Sequence, residues 1–120
     1  MDIVIDADSA VPPYEQVRLR IAELAAGGVL AAGAKLPPVR QLAGELGLAA
    51  NTVARAYREL EQAGLVETRG RAGTVVTARA ARTPVAAQQA AQRYAEQVRA
   101  LGVPPEAALK LVRAALELPG

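Results

Sequence analysis

Residues 36–64 decide the fold of this chain, and they read LPPVRQLAGELGLAANTVARAYRELEQAG. From Val39 to Leu46, apolar side chains recur at positions i, i+3, i+4 and i+7. This spacing predicts an amphipathic helix, because those positions share one helical face. Gly47 follows directly and suits the left-handed conformation that commonly ends a helix.

A second helix is predicted at residues 51–63, and Gly64 is placed to end it. Its apolar face consists of Val53, Tyr57 and Leu60, spaced four and three residues apart. The opposite, polar face consists of Asn51, Arg55, Arg58 and Gln62. Two short helices joined by a tight turn that contains glycine are typical of a helix-turn-helix.

The flanking segments extend this unit. Upstream, a helix that ends at residues 27–28 is predicted from an apolar face spaced three, four and three residues apart: Tyr14, Val17, Ile21 and Leu24. Downstream, β-branched residues around a glycine-bounded turn at 70–73 predict a hairpin with strands 65–69 and 74–77. The predicted core includes Tyr14, Ile21, Leu42, Leu46, Tyr57 and Leu60.

The two ends of the chain complete the predicted architecture. Alternation of Ile3, Val4 and Ile5 predicts a short strand at about 2–6. Two helices are expected near the C-terminus, at about 84–101 and 105–118. The fold class is therefore mainly helical with a small β-hairpin (α+β), a winged helix-turn-helix followed by a two-helix tail. The predicted division is a winged DNA-binding domain at 1–77, a polar connector at 78–83 and a dimerisation region at 84–120.

Composition excludes several function classes. The 120 residues include no Cys and no His, so a thiol nucleophile, a disulfide and a metal site built on those ligands are excluded. No metal and no cofactor are expected. The closest acids, Asp2, Asp6 and Asp8, lie in the N-terminal segment, and no glycine-rich phosphate loop precedes a helix, which argues against an enzyme. The acidic N-terminus and the lack of a long apolar run predict a cytoplasmic protein without a membrane partner.

Charge is distributed unevenly along the chain. Residues 1–67 carry six basic and nine acidic side chains, a net charge of −3, whereas residues 68–82 carry four arginines and no acid. Such a local basic cluster predicts an anionic partner that is contacted at one place. Taken alone, the same cluster also fits a solvated arginine-rich loop.

The combination of these features points to duplex DNA. The major groove, about 12 Å wide, admits one α-helix, and there arginine binds guanine and asparagine binds adenine. Thr52 is placed to meet a phosphate or a thymine methyl group. The hairpin tip, Arg69-Gly70-Arg71, combines cationic side chains with a glycine, as a minor-groove wing requires. The polar helix face alone also fits a solvated helix, and a winged helix that serves as a protein–protein adaptor remains the alternative.

Several motifs resemble the DNA-binding domain of the GntR family of regulators. The resemblance spans residues 12–76 and rests on PYEQV (13–17), LPPVRQLA (36–43), NTVARAYRELE (51–61), GLVETRG (64–70) and GT (73–74). It implies DNA contacts by Arg40, by the start of the second helix and by the wing. Together with the residue pattern, it gives these expected DNA-binding residues: Arg40, Asn51, Thr52, Arg55, Arg58, Arg69, Gly70 and Arg71.

The sequence departs from the family pattern just before this helix. The family often has a polar N-cap there, and frequently an Arg or Pro before the Asn-Thr pair, whereas this chain has Ala49 and Ala50. We therefore expect one DNA contact and about 1 kcal/mol of capping energy to be missing.

The tail resembles that of the YtrA-type subfamily, whose two-helix tails dimerise. Only about 40 residues follow the wing, and residues 101–106 read LGVPPE. A heptad-like seam of residues 87, 91, 94, 98 and 101, followed by an apolar second helix, exceeds what one helix pair can cover. The expected dimerisation residues are Ala91, Tyr94, Val98, Leu101, Leu109, Val112 and Leu116.

The resemblance implies a homodimeric transcription regulator, expected to be a repressor. A dimer with two-fold symmetry predicts an inverted-repeat operator. The operator sequence, the regulated genes and a small-molecule effector stay open. A tail that packs back on its own winged domain is the alternative to the dimer.

Overall fold

The computed structural model describes residues 1–119. They form two compact units, of which the first is Met1–Val85 and the second begins at Ala86. The helices are α1 (Pro13–Ala26), α2 (Val39–Leu46), α3 (Ala50–Gln62), α4 (Ala78–Arg82), α5 (Val85–Ala100) and α6 (Pro105–Ala115); the strands are β1 (Val66–Thr68) and β2 (Thr74–Val76). The predicted fold class is confirmed: the chain is mainly helical and carries one small hairpin.

Helix α1 packs against α3 and α4 in the first unit. Proline at its first position has a fixed backbone angle that suits a helix start. Its predicted apolar face is buried at Val17, Ile21 and Leu24. Tyr14, which we expected in the core, is only half-buried because it lies at the start of the helix.

The helix-turn-helix forms as predicted. Gly47 ends α2 in the left-handed conformation, with φ of 68°. Helix α3 packs on α1 and α2 through its apolar face, where Val53 and Leu60 are almost completely buried. The Tyr57 hydroxyl donates a hydrogen bond to the Pro37 carbonyl at 2.7 Å, which ties α3 to the segment before α2.

The predicted hairpin is confirmed, with shorter strands. β1 and β2 pair antiparallel, with Val66 opposite Val76 and Thr68 opposite Thr74. The other edge of β2 bonds to residues 33–36, which have no strand pattern in the sequence: Leu36 N–H donates to the Thr74 carbonyl at 2.8 Å. This pairing fixes the wing against the chain that leads into α2.

The strand predicted at residues 2–6 is wrong, because these residues form no strand. The Gln16 side chain of α1 accepts from the Asp6 N–H at 2.8 Å and donates to the Asp6 carbonyl at 2.9 Å. A side-chain amide thus takes the backbone groups that a neighbouring strand would bind. The alternation that suggested a strand instead places Ile3 in the core.

The polar connector predicted at 78–83 is also wrong, because residues 78–82 form α4. The Thr77 side chain accepts the Ala80 N–H at 3.3 Å and so caps the helix. Alanine and arginine both have high helix propensity, which favours this short turn. Ala80 is buried in the core of the first unit, and α4 packs on α1.

The second unit contains α5 and α6, which are joined by a turn at Gly102. The Tyr94 hydroxyl donates to the Ala108 carbonyl at 2.7 Å and links the two helices. Helix α6 ends at Ala115, before the predicted end at residue 118. The reason is that Pro119 disfavours a helical residue before it, and Glu117 already adopts a left-handed conformation with φ of 60°.

Candidate nucleic-acid interface

The polar face predicted on α3 is present. Asn51, Arg55, Arg58 and Gln62 are all exposed or partly exposed, on the side opposite the buried Val53, Ala56, Tyr57 and Leu60. Thr52 is half-buried at the start of the helix. A helix that is anchored by one face and polar on the other can enter the major groove. We call α3 the recognition helix from here on.

Arg40 lies in the first turn of α2 and is exposed. The start of a helix carries partial positive charge from its unpaired N–H groups, so a cation placed there adds to an environment that favours phosphate. The position is compatible with the predicted DNA contact.

Arg58 and Asn51 form no side-chain hydrogen bond or ion pair within residues 1–119. Arg58 also lines a groove of about 220 Å³ that separates the recognition helix from the wing. Across this groove, the Thr68 hydroxyl donates to the Glu61 carboxylate at 2.8 Å. That bond links the wing to the recognition helix, a role that sequence reasoning missed.

The wing tip is a short 3₁₀ turn, Gly70–Ala72. Gly70 has φ of 53° and Gly73 has φ of 76°, conformations that L-residues rarely adopt, so glycine is required by the turn. Arg71 is exposed at this tip. The Arg69 guanidinium, in contrast, is paired with the Glu67 carboxylate. This pair could not be seen from the charges of residues 68–82, because Glu67 lies just before that range.

Arg55 is less free than its outward position suggests. Its guanidinium carbon lies 3.6 Å from the centroid of the Tyr14 ring, and its Nε donates to Glu59 Oε2 at 3.1 Å. The hydrogen bond to Glu59 is the main cause that raises the pKa of Arg55 above its ordinary value. Tyr14 and Arg55 are far apart in sequence, so no spacing rule predicts their contact; only the i,i+4 relation of Arg55 and Glu59 is visible in the sequence.

Tyr14 also bonds to a neighbour on α1 through its hydroxyl. Its hydroxyl donates to the carboxylate of Glu15, which is buried, at 2.9 Å. Partial burial raises the pKa of Tyr14, and the hydrogen bond to Glu15 raises it further. The ring that faces Arg55 therefore belongs to a neutral phenol.

The recognition helix begins without a side-chain cap. Ala49 occupies the N-cap position with an extended backbone, and it offers no oxygen to the first N–H groups. The predicted loss of capping is therefore present and corresponds to about 1 kcal/mol.

The expected dimerisation residues all lie in the second unit. Tyr94, Val98 and Val112 line a groove of about 370 Å³ together with Leu109. Three of the expected residues, Leu101, Leu109 and Leu116, are exposed, and so are Leu111 and Leu118. A single chain therefore leaves a large apolar surface in contact with water.

Comparison with known proteins gives the family. Residues 13–76 match the family described as bacterial regulatory proteins, gntR family, which is more than half of the chain. The chain belongs to the GntR family. Residues 1–119 include no helix that is long and apolar enough to cross a membrane.

Two relatives are informative. The chain is 46% identical over 106 residues to the HTH-type transcriptional regulator Rv1152 of Mycobacterium tuberculosis, covering 88% of this chain and 87% of that protein. It is 45% identical over 84 residues to the HTH-type transcriptional repressor YtrA of Bacillus subtilis, covering 69% of this chain and 64% of that protein.

A solved structure extends the similarity to the fold. YtrA from Sulfolobus acidocaldarius, a GntR-family transcription factor, superposes with a TM-score of 0.62 at 34% identity. The match covers 83% of this chain and 97% of that chain. This GntR protein is thus of the YtrA type, and it is a DNA-binding transcription regulator with a winged helix-turn-helix, not an enzyme.

Proposed function

We propose that this GntR protein is a repressor that binds an inverted-repeat operator as a homodimer. The observation that carries the dimer is the exposure of Leu101, Leu109 and Leu116, which are 78%, 53% and 64% exposed in the single chain. Leucines at this density on one small helical unit favour a protein partner that covers them. A second copy is the partner that is always available, and it is the commonest one.

Sequence readout is assigned to the exposed face of the recognition helix. Arg58 and Asn51 carry the side chains that suit guanine and adenine in the major groove, and neither is committed to a partner within residues 1–119. Arg55 adds a further cation on the same face. Thr52, at the helix start, is assigned to the adjoining phosphate or a thymine methyl group.

The remaining contacts are assigned to the DNA backbone and minor groove. Arg40 at the start of α2 is placed to neutralise a phosphate. The wing tip presents Arg71, and Arg69 joins it if the pair with Glu67 opens. Gly70 allows close approach of the wing backbone to the sugar-phosphate chain.

Repression and location follow from the same proposal. The Bacillus subtilis relative named a repressor supports repression as the mode of action, since this chain is 45% identical to it over 84 residues. A dimer clamped on an operator can block access of polymerase. A bacterial regulator of this kind acts in the cytoplasm, where the chromosome lies.

An adaptor function is the second candidate. A winged helix that binds only proteins has no need for exposed arginine and asparagine on its second helix, and here both are kept. The exposed side chains of Asn51 and Arg58 therefore favour DNA.

The test is selection of bound duplexes from a random pool by the full-length protein, followed by sequencing. We expect an inverted repeat whose half-site centres are about 34 Å apart, one helical turn of DNA. Arg58→Ala should relax the preference at one position in each half-site, whereas Arg93→Ala, which changes an exposed arginine of α5, should leave the selected sequence unchanged. No enrichment would favour the adaptor, and enrichment of single half-sites would argue against the dimer.

A further inference from the structure

Arg55 belongs to a cluster that joins α1 to the recognition helix. The Arg55 cluster consists of Tyr14, Arg18, Arg55 and Glu59. We propose that Tyr14 and Glu59 are positioning residues that hold Arg55 in the orientation in which it binds DNA. This inference rests on the DNA contact assigned to Arg55 in the proposed function.

The cluster holds the guanidinium of Arg55 from two directions. The Tyr14 ring lies under one face, 3.6 Å from the guanidinium carbon, and Glu59 accepts from Nε at 3.1 Å. Glu59 is in turn fixed from α1, since its second oxygen, Oε1, lies 3.2 Å from Arg18 Nε. The carboxylate therefore bridges two arginines on different helices, and its own position depends on the packing of α1 against α3.

This arrangement leaves a defined part of Arg55 available. Stacking covers one face of the guanidinium, and Glu59 occupies the Nε donor. The edge that carries Nη1 and Nη2 has no other partner within residues 1–119, and the side chain is 53% exposed. Two parallel N–H donors on that edge match the O6 and N7 acceptors of a guanine edge in the major groove.

Holding the side chain before binding should raise affinity. A free arginine on a helix samples many rotamers and loses that freedom when DNA fixes it. Here the rotamer is already restricted by a cation–π contact and an ion pair, so less conformational entropy is lost on binding.

The ring of Tyr14, and not its hydroxyl, makes the contact with Arg55. The hydroxyl is directed to Glu15, at 2.9 Å, on the same helix. Phenylalanine should therefore replace Tyr14 in this function, whereas leucine, which is apolar but has no aromatic face, should not.

The experiment measures the Kd of the full-length protein for the duplex selected from the random pool, in a double-mutant cycle. We expect Tyr14→Leu to weaken binding about two- to fivefold, in line with the loss of an exposed cation–π contact. Tyr14→Phe should bind like wild type. In an Arg55→Ala background, Tyr14→Leu should have no further effect, because the residue that it positions is gone.

A second variant keeps the test independent of any packing change at Tyr14. Glu59→Gln removes a negative charge near DNA, and this change alone raises affinity for every duplex alike. The readout is therefore the ratio of the Kd for the selected duplex to the Kd for a scrambled duplex. We expect this ratio to move toward one in Glu59→Gln, and to be unaffected by the same change in Arg55→Ala.

The outcomes separate this inference from the function on which it rests. If Tyr14→Leu weakens binding equally in both backgrounds, Tyr14 acts through the fold and the positioning role is wrong. If Arg55→Ala binds the selected duplex like wild type, the DNA contact itself is wrong, although the selected duplex would still establish specific binding through other residues.

Discussion

At the residue scale, Tyr57 connects the recognition helix to the segment before α2 through one partly buried hydrogen bond. Its hydroxyl donates to the Pro37 carbonyl at 2.7 Å, and the residue is 7% exposed. Burial, with a smaller contribution from the nearby Glu45 carboxylate, raises the pKa of Tyr57 to about 12. The neutral phenol is thus the form that the folded state requires.

This pKa gives a prediction for alkaline stability. The unfolded chain should lose the Tyr57 proton near pH 10 and the folded chain near pH 12, so this contribution is intact below pH 10 and is lost as the pH rises to about 12. We expect the free energy of unfolding to fall in that window by on the order of 2 kcal/mol from this group. Urea unfolding at about pH 8, 10 and 11.5 measures the decline.

The control for this prediction is Tyr57→Phe. This variant loses the bond to Pro37, which should cost about 1 kcal/mol at neutral pH. It should also show a flatter decline above pH 10, because the titrating group is absent. A decline equal to that of wild type would assign the alkaline loss to other groups.

Single residues also show which features of the site can be predicted from the sequence. The side of α3 on which Asn51 and Arg58 lie follows from helical periodicity, which depends only on spacing. The stacking of Arg55 on Tyr14 cannot be predicted from periodicity, because it depends on how α1 crosses α3 in three dimensions. Periodicity therefore predicts which face of a helix is exposed, but not which exposed side chains hold one another.

At the scale of elements, local signals predicted α1, α2, α3 and the hairpin, because each has its own periodicity and a glycine or proline at its end. The errors come from tertiary context. Residues 2–6 alternate like a strand, but the Asp6 backbone bonds to the Gln16 side chain and to the Ser9 N–H instead of to a neighbouring strand. Residues 33–36 have no strand pattern, yet they pair with β2 because the wing folds beside them.

The wing gives the prediction at this scale. Arg71 is exposed on the 3₁₀ turn, whereas Arg69 is already paired with Glu67, so Arg71 is the stronger candidate for binding the DNA backbone. Arg71→Ala should weaken binding to all duplexes alike. It should also lower the slope of log affinity against log salt by about 0.9 for each phosphate that the variant no longer neutralises.

Fluorescence anisotropy at several salt concentrations measures this slope, with Arg93→Ala on α5 as the matched control. That variant removes the same charge from the chain at a position outside the proposed DNA surface, and it should leave the slope unchanged. An unaltered slope for Arg71→Ala would mean that the wing tip does not approach the DNA backbone.

At the scale of the whole molecule, two compact units imply that DNA binding and assembly can be separated. The division predicted from the sequence ends the winged domain at Thr77, whereas the first unit of the structure extends to Val85. Ala80 of α4 is buried in the core of the first unit, and a cut at 77 would remove it. A chain that ends at Val85 keeps α4 and should fold as a monomeric winged domain.

The tail offers a matched pair of variants that tests the dimer in the full-length protein. Leu109 and Leu111 both lie on α6 and are 53% and 57% exposed, so neither substitution should disturb the fold of one chain. Leu109 lines the apolar groove with Val112, whereas Leu111 is two residues away and faces a different side of the helix. Leu109→Asp would bury a charge in the proposed interface, and Leu111→Asp would not.

We therefore expect Leu109→Asp to be monomeric in light scattering at micromolar concentration, like the chain that ends at Val85, whereas Leu111→Asp stays dimeric. Both monomeric forms should bind the operator far more weakly than wild type, because a dimer delivers its second recognition helix at an effective concentration of about millimolar. Affinity for a single half-site should be unchanged, since the winged domain is intact. If Leu109→Asp stays dimeric and Leu111→Asp becomes monomeric, the interface lies on the other side of α6. If the wild-type protein is a monomer, the tail has no role in assembly.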